Sequence, residues 1–293
     1  MKIPVLLQLA YLKEDFHLKN LKIPIILFSF FVLIGISVFY LTNSIFTIFN
    51  FLYIGFFVTF GLYLFTSGNK YGRQVIQFGV GLYMLVFLGL ILQENMLISG
   101  FFFYLFLGVF QAAVIHYLVA KILGPLLFGR GWCAYACWTV MVLDLLPYKI
   151  PKTHERIANL GLLRYGLFLL ILLFVGLLFY FNIPKLHYIM FLVFVIGNVL
   201  YYIIGIVLAY KFKDNRAFCK YICPTVTFLK PFSYFSLMRI TANEESCINC
   251  KQCIEICPMD VDMLDIKRTR KHGTECILCL ECLNRCPNDS IKA

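Results

Sequence analysis

Twelve cysteines are the residues best able to do chemistry in this chain of 293 residues, and every one of them lies in a short motif. Eight near the carboxy terminus write one pattern twice: Cys247, Cys250, Cys253 and Cys257 followed by Pro258, then Cys276, Cys279, Cys282 and Cys286 followed by Pro287. Every member of the first set has its counterpart at one constant offset and Asp260 recurs as Asp289, so the segment is an internal duplication. The spacing C-x2-C-x2-C-x3-C-P suits 4Fe-4S clusters, because three closely spaced thiolates wrap three irons of one cube and the fourth cysteine reaches the neighbouring cluster. On that rule Cys247, Cys250, Cys253 and Cys286 hold one cluster, and Cys276, Cys279, Cys282 and Cys257 hold the other. Zinc favours separated C-x2-C pairs over triplets with a fourth Cys-Pro, and a disulfide framework belongs to an oxidising compartment. A domain of roughly 50 residues has too little apolar core to rely on, so the clusters are expected to supply much of its folding energy.

The other four cysteines lie in GRGWCAYACW and NRAFCKYICP. Aligned, Arg130, Trp132, Cys133, Tyr135 and Cys137 match Arg216, Phe218, Cys219, Tyr221 and Cys223, again at one constant offset, which makes a second duplication. Residues four apart share one face of a helix, so each pair is expected to form a two-sulfur clamp. Two such clamps at one depth would converge on a third iron-sulfur cluster held by Cys133, Cys137, Cys219 and Cys223, with Arg130 and Arg216 beside it to favour thiolates and offset its charge. A copper or thiol-redox site is the competing chemistry, and four small buried residues packing helices is the alternative without chemistry.

The elements that must position these motifs are written in composition. The chain is 61% hydrophobic and 14% charged, with a mean hydropathy of +0.83, against roughly half and a quarter in soluble domains. Most of it therefore belongs in lipid. The apolar runs Ile23–Leu41, Ile45–Phe65, Val75–Leu92, Met96–Ala120, Leu163–Phe181 and Leu186–Tyr210 are each of the length that crosses a bilayer. The predicted fold is mainly α, a multi-pass bundle of about six transmembrane helices with a carboxy-terminal α+β ferredoxin-like domain holding two 4Fe-4S clusters. Its domains are an interfacial amino-terminal helix (1–22), a transmembrane domain carrying both short cysteine motifs at its cytoplasmic side (23–240), and the two-cluster ferredoxin domain (241–293). Placing the amino terminus inside puts 25 of the 26 Lys and Arg residues on one face and only Lys185 outside. Positively charged loops stay cytoplasmic, so both termini and the ferredoxin domain are expected on the cytoplasmic side of the inner membrane. The +11 charge sits in the hydrophobic part, which points to anionic lipid as partner and not nucleic acid.

From about Leu97 to the end, paired C-x3-C motifs after membrane helices followed by a two-cluster ferredoxin domain resemble the NapH-type membrane ferredoxins of periplasmic nitrate reductase systems, and are similar to MauN-type polyferredoxins. Two features depart from that pattern: Trp138 stands where proline is expected after the first clamp, and six spans exceed the usual four. The resemblance implies an electron-transfer subunit of an oxidoreductase complex, with the quinone pool as substrate and other redox subunits as partners. The alternatives are a copper-reducing or assembly factor and a structural anchor for a ferredoxin module. Quinol releases protons as well as electrons, and Asp144, in VMVLDLLPY, is the candidate catalytic acid-base group. Its other reading is an interfacial acid paired with Arg130 or Lys149. His116 could contact quinone, although packing against a neighbouring helix is the commoner role for such a residue.

Overall fold

A computed structural model describes residues 5–69, 71–110, 112–157, 159–264 and 272–292, with backbone alone for 5–20, 41, 42 and 112. The first four residues of the expected interfacial segment, and the side chains of the next sixteen, lie outside the described residues. The chain divides into two compact units, Met1–Leu82 and Tyr83–Ala293.

The first unit is made of α1 (Val5–Thr42), α2 (Ile45–Thr66) and α3 (Gly72–Leu82). Helix α1 runs through Pro24 without a break. It packs on α2 as a hairpin through a turn at Asn43, whose φ is 53°. Lipid offers no hydrophobic drive between helices, so close packing must hold them. A Cβ added to Gly61 would lie 2.2 Å from the Ile76 side chain, and one added to Gly72 would lie 2.5 Å from the Phe65 backbone nitrogen. Glycine lets α2 and α3 come that near.

In the second unit the helix continues as a π-helical stretch, Tyr83–Ile91, so that Gly72–Ile91 is long and apolar enough to cross a membrane. Four other helical segments also qualify: Leu21–Tyr40, Ile45–Thr66, Leu160–Tyr180 and Leu186–Phe212. These correspond to five of the expected spans. The expected span Met96–Ala120 does not form a single helix, which corrects the count of six. It is broken into α4 (Ile98–Phe106) and α5 (Ala112–Tyr117), the latter extended by a π-helical turn into α6 (Gly124–Phe128). The break is a glycine cap: Gly108 has φ 67°, its N–H donates to Leu105 O, and the Val109 N–H donates back to Tyr104 O. The nine residues of α4 extend about 13 Å, short of the roughly 30 Å of hydrocarbon. The irregular backbone before α4 is satisfied by buried Asn95, which donates to Met190 O at 2.9 Å and accepts from the Leu97 N–H at 3.0 Å. Irregular backbone at such depth needs that kind of internal partner.

Helices α9 (Leu163–Tyr180) and α10 (Leu186–Phe212) frame this unit. Phe101, Phe102, Tyr117, Phe168 and Phe228 pack edge-to-face and stacked at centroid separations of 5.1 to 6.4 Å, tying α4, α5, α9 and α12 (Val226–Tyr234) together. Between these long elements lie the short helices α7 (Gly131–Tyr135), α8 (Trp138–Leu143) and α11 (Ala217–Tyr221). The carboxy-terminal part is small. Strands β1 (Thr241–Ala242) and β2 (Ile291–Lys292) pair antiparallel, Thr241 opposite Lys292, and close a loop-rich segment containing α13 (Gln252–Glu255) and α14 (Glu281–Arg285).

The α2–α3 contact has a direct test. Gly72→Ala puts a methyl group against backbone atoms that no rotamer change can move. It is expected to cost about 1–3 kcal/mol in thermal unfolding of the detergent-solubilised protein, whereas Gly176→Ala, with nothing within 4 Å of the added carbon, should cost nothing.

Candidate metal centres

The sequence duplication at the carboxy terminus is also a duplication of backbone. Asn249, Lys251 and Asp260 have φ between 52° and 60°, and their counterparts in the second copy, Leu278, Leu280 and Asp289, have φ between 48° and 64°. Such left-handed residues are costly outside glycine and persist where the surroundings dictate them. Here they turn each loop so that its sulfurs face one way. The N–H of Val261 donates to Cys257 Sγ at 3.4 Å, and that of Ser290, its counterpart, donates to Cys286 Sγ at 3.3 Å.

Two small cavities result, of about 20 and 10 Å³. The first is lined by Cys247, Cys250, Cys253 and Cys286. The second is lined by Cys276, Cys279, Cys282 and Cys257. Each therefore gathers three cysteines of one copy and the fourth of the other. Among the described residues no three His, Cys, Asp or Glu side chains close around a single ion. A donor set of four thiolates in an apolar pocket fits a 4Fe-4S cluster. Burial pushes the Cys257 thiol up to about 11 despite the N–H groups of Val261 and Met259, and burial likewise raises Cys282. At Cys286 the upward push of burial is outweighed by the N–H groups of Asn288, Ser290 and Ile291, which leave the thiol below its ordinary value. Iron must displace protons from such thiols to be held.

The four membrane cysteines lie within electrostatic range of one another. The expected helical clamp is corrected in form: Cys133 and Cys219 sit within α7 and α11, while Cys137 and Cys223 lie just beyond the end of each helix. The duplication extends to structure here too, since α7 and α11 have the same length and begin at equivalent residues of the two motifs. Arg130 and Arg216 are their amino-terminal flanking residues. Arg130 Nη2 is 4.0 Å from Cys133 Sγ, and Arg216 Nη1 donates to Cys133 O at 3.1 Å. Asp144, read from sequence as an acid that could pair with Arg130 or Lys149, forms an ion pair with Arg216 at 2.8 Å. His116 is buried beside Trp132, with ring centroids 6.0 Å apart. Trp138, in the place of the missing proline, donates its indole N–H to Asn198 Oδ1 at 2.7 Å and thereby ties the first motif to α10.

The two sets of sites abut. Arg130 N–H donates to Cys276 O at 3.3 Å and the Tyr135 hydroxyl donates to Leu278 O at 3.0 Å. Cys133, Ala134, Cys253, Cys257, Ile277 and Cys282 belong to one buried apolar core. The seam is fastened by Glu275, 1% exposed, which pairs with Arg130, Arg164, Arg156 and Lys230. Burial would raise its carboxyl, but these four cations overcome that and hold it at about 2. Asp260 adds ion pairs to Lys220 at 2.7 Å and Arg156 at 3.2 Å. Sequence reasoning missed Glu275; the one signal was an acid where the other copy has Ser246 at the equivalent position.

Comparison with known proteins agrees on the chemistry. Residues 239–287 match the 4Fe-4S dicluster domain, and residues 111–154 and 186–241 match a 4Fe-4S binding domain that takes in both membrane motifs. The chain carries the domains of a 4Fe-4S polyferredoxin. The polyferredoxin is similar to an uncharacterized protein of Methanocaldococcus jannaschii, 30% identical over half of this chain and 66% of that protein. A second uncharacterized protein of the same organism is 26% identical over 53% of this chain and 61% of its own length. The polyferredoxin thus spans less than two thirds of either archaeal relative. The methylamine utilization ferredoxin-type protein MauN of Paracoccus denitrificans is 40% identical over 48 residues, 16% of this chain and 17% of that protein. No solved structure matches.

Two measurements test these centres. Anaerobically prepared polyferredoxin is expected to bind about twelve iron atoms, falling to about eight in a Cys133→Ser, Cys219→Ser variant; about eight in both would remove the membrane centre. Glu275→Gln leaves Arg130 and Arg164 buried without their carboxylate and should cost about 3–5 kcal/mol of stability. Because the folded carboxyl titrates at about 2 and the ordinary value is 4.5, its contribution is complete above about pH 4.5 and fades as pH falls toward 2. The deficit of the variant in thermal unfolding should therefore stay flat between about pH 5 and 8.

Proposed function

We propose that the polyferredoxin is the membrane-integral electron-transfer subunit of an oxidoreductase complex, passing electrons between the quinone pool and a partner protein. Its 4Fe-4S domains support an iron-sulfur electron-transfer role. The observation that carries the finer reading is the contact between the two cysteine systems, Arg130 N–H to Cys276 O and Tyr135 hydroxyl to Leu278 O. It supports a route from Cys133, Cys137, Cys219 and Cys223 at the membrane end to the sites of the ferredoxin domain, Cys276, Cys279, Cys282 and Cys257, and Cys247, Cys250, Cys253 and Cys286. When bound, the clusters supply reversible one-electron carriage with potentials set by charge, hydrogen bonds and exposure.

The protein's own residues do the rest. The apolar core around Cys253, Cys257 and Cys282 keeps water from those sulfurs. Arg130 and Arg216 place positive charge at the membrane set. Asp144 holds the Arg216 guanidinium in place, which makes it a positioning residue before it is a proton acceptor. At the far end Cys250 is exposed and Ile248 is 61% exposed, a face suited to a redox partner. The excess of Lys and Arg in the segments assigned inside supports the cytoplasmic side of the inner membrane for that face.

The test is kinetic. Protein in lipid nanodiscs, its clusters reduced with dithionite and the excess removed, is mixed with a water-soluble quinone under anaerobic conditions. Reoxidation is expected, slowed roughly tenfold or more in the Cys133→Ser, Cys219→Ser variant that keeps both ferredoxin sites. Equal rates in the two proteins would sink the proposed route through the membrane set.

A further inference from the structure

A cavity of about 510 Å³ opens beside the amino-terminal end of α9, lined in part by Arg156, Arg164, Lys220, Lys230, Tyr165 and Tyr221. It holds none of the twelve cysteines. Its electrostatics are lopsided. Among its lining residues the cations Arg156, Arg164, Lys220 and Lys230 outnumber the one buried carboxylate, Glu275, while Asp260 and Asp214, outside the lining, pair with Arg156 and Lys220. Exposed Glu155 at the rim offsets one of these cations.

Three independent features point to an anion. Arg164 is 3% exposed, lines the cavity, and its Nε has no hydrogen-bond partner although the guanidinium also binds Glu275. Helix α9, 18 residues long, begins there as the continuation of a 3-10 turn, Leu160–Leu162, with no side-chain cap and no acid in its first turn to offset the positive end of its dipole. Lys230, whose side chain is 43% exposed, reaches Glu275 only at 3.9 Å and has donors to spare. A guanidinium fork, an ammonium and a helix amino terminus together are the donor set that receives a phosphate. The cavity also stands at the start of a helix long and apolar enough to cross a membrane, with two tyrosines on its wall. Basic pockets at such positions take anionic lipid headgroups.

We infer that this cavity binds a phosphate-bearing anion, presented by an anionic phospholipid headgroup or by soluble phosphate. Arg164, Lys230 and the first turn of α9 are its donors. The inference rests on the basic cavity and not on the electron route, so the two can fail separately.

The experiment uses the full-length protein with its clusters, in detergent, and reads the shift of its thermal unfolding midpoint on titration with short-chain phosphatidylglycerol, short-chain phosphatidylcholine or inorganic phosphate. Phosphatidylglycerol is expected to bind at least tenfold more tightly than phosphatidylcholine, and Lys230→Gln to weaken it roughly tenfold with the cluster absorbance unchanged. Arg164→Lys, which keeps the charge and the pairing with Glu275 but loses the fork, should weaken it comparably. Competition by inorganic phosphate would keep the site and make soluble phosphate its source; no competition with retained phosphatidylglycerol binding would make the source lipid. Equal binding of the two lipids, or phosphatidylglycerol binding unchanged in both variants, overturns the inference.

Discussion

The arrangement depends on one buried carboxylate. Glu275 immediately precedes a cysteine of the second ferredoxin site, and it faces cations from three separate elements: Arg130 ahead of the first membrane motif, Arg164 in α9, and Arg156 in the loop between α8 and α9. Each of these charges is taken out of water at a cost of several kcal/mol, and only the mutual contact offsets it. Removing the carboxylate would strand several buried cations at once. A seam built this way is poor at adding stability over an apolar one, but it is specific, since every alternative docking leaves a charge unmatched. That specificity brings Cys276 O within hydrogen-bonding distance of the Arg130 backbone.

The carboxy-terminal duplication shows where symmetry was kept and where it was given up. Left-handed turns and N–H to sulfur bonds recur at equivalent positions in both copies, because each copy must curl around the same kind of site. The outward-facing residues diverge. Asp260 is buried in ion pairs with Lys220 and Arg156, while its counterpart Asp289 is exposed; Glu275 is buried, while its counterpart is Ser246. The second half of the domain therefore turns its first cysteine toward the membrane part, and the first half leaves Cys250 exposed. A symmetric domain would have no preferred end.

Legibility followed the range of the interaction. The cysteine spacings are local, and the four residues that spacing assigns to each ferredoxin site are the four that line each cavity. Five apolar runs became helices of spanning length, for hydropathy summed over some twenty residues is a strong signal. The run from Met96 to Ala120 misled because hydropathy does not register a φ of 67° at Gly108, and glycine is common in membrane helices that do not end. The clamps were misread for a related reason: a spacing of four suits a helix, but Cys137 and Cys223 fall beyond the ends of five-residue helices. Ion pairs across the seam join residues far apart in the chain, and nothing near Glu275 or Asp144 in the sequence names Arg130 or Arg216 as partner.

Short helices at the membrane motifs have a consequence for the chemistry. Had both sulfurs of a pair sat on one continuous helix, their separation and direction would have been set by helical geometry alone. With one cysteine inside α7 or α11 and the other in the residue after the turn, each sulfur is aimed by a different local constraint. For Cys133 that constraint includes Arg216 from the other motif, which donates to its carbonyl while held by Asp144. The second motif thus helps to orient the first. The same crossing occurs in the ferredoxin domain, where each cavity borrows its fourth cysteine from the other half. In the ferredoxin domain this crossing makes the cysteine set of each cavity incomplete without the other half.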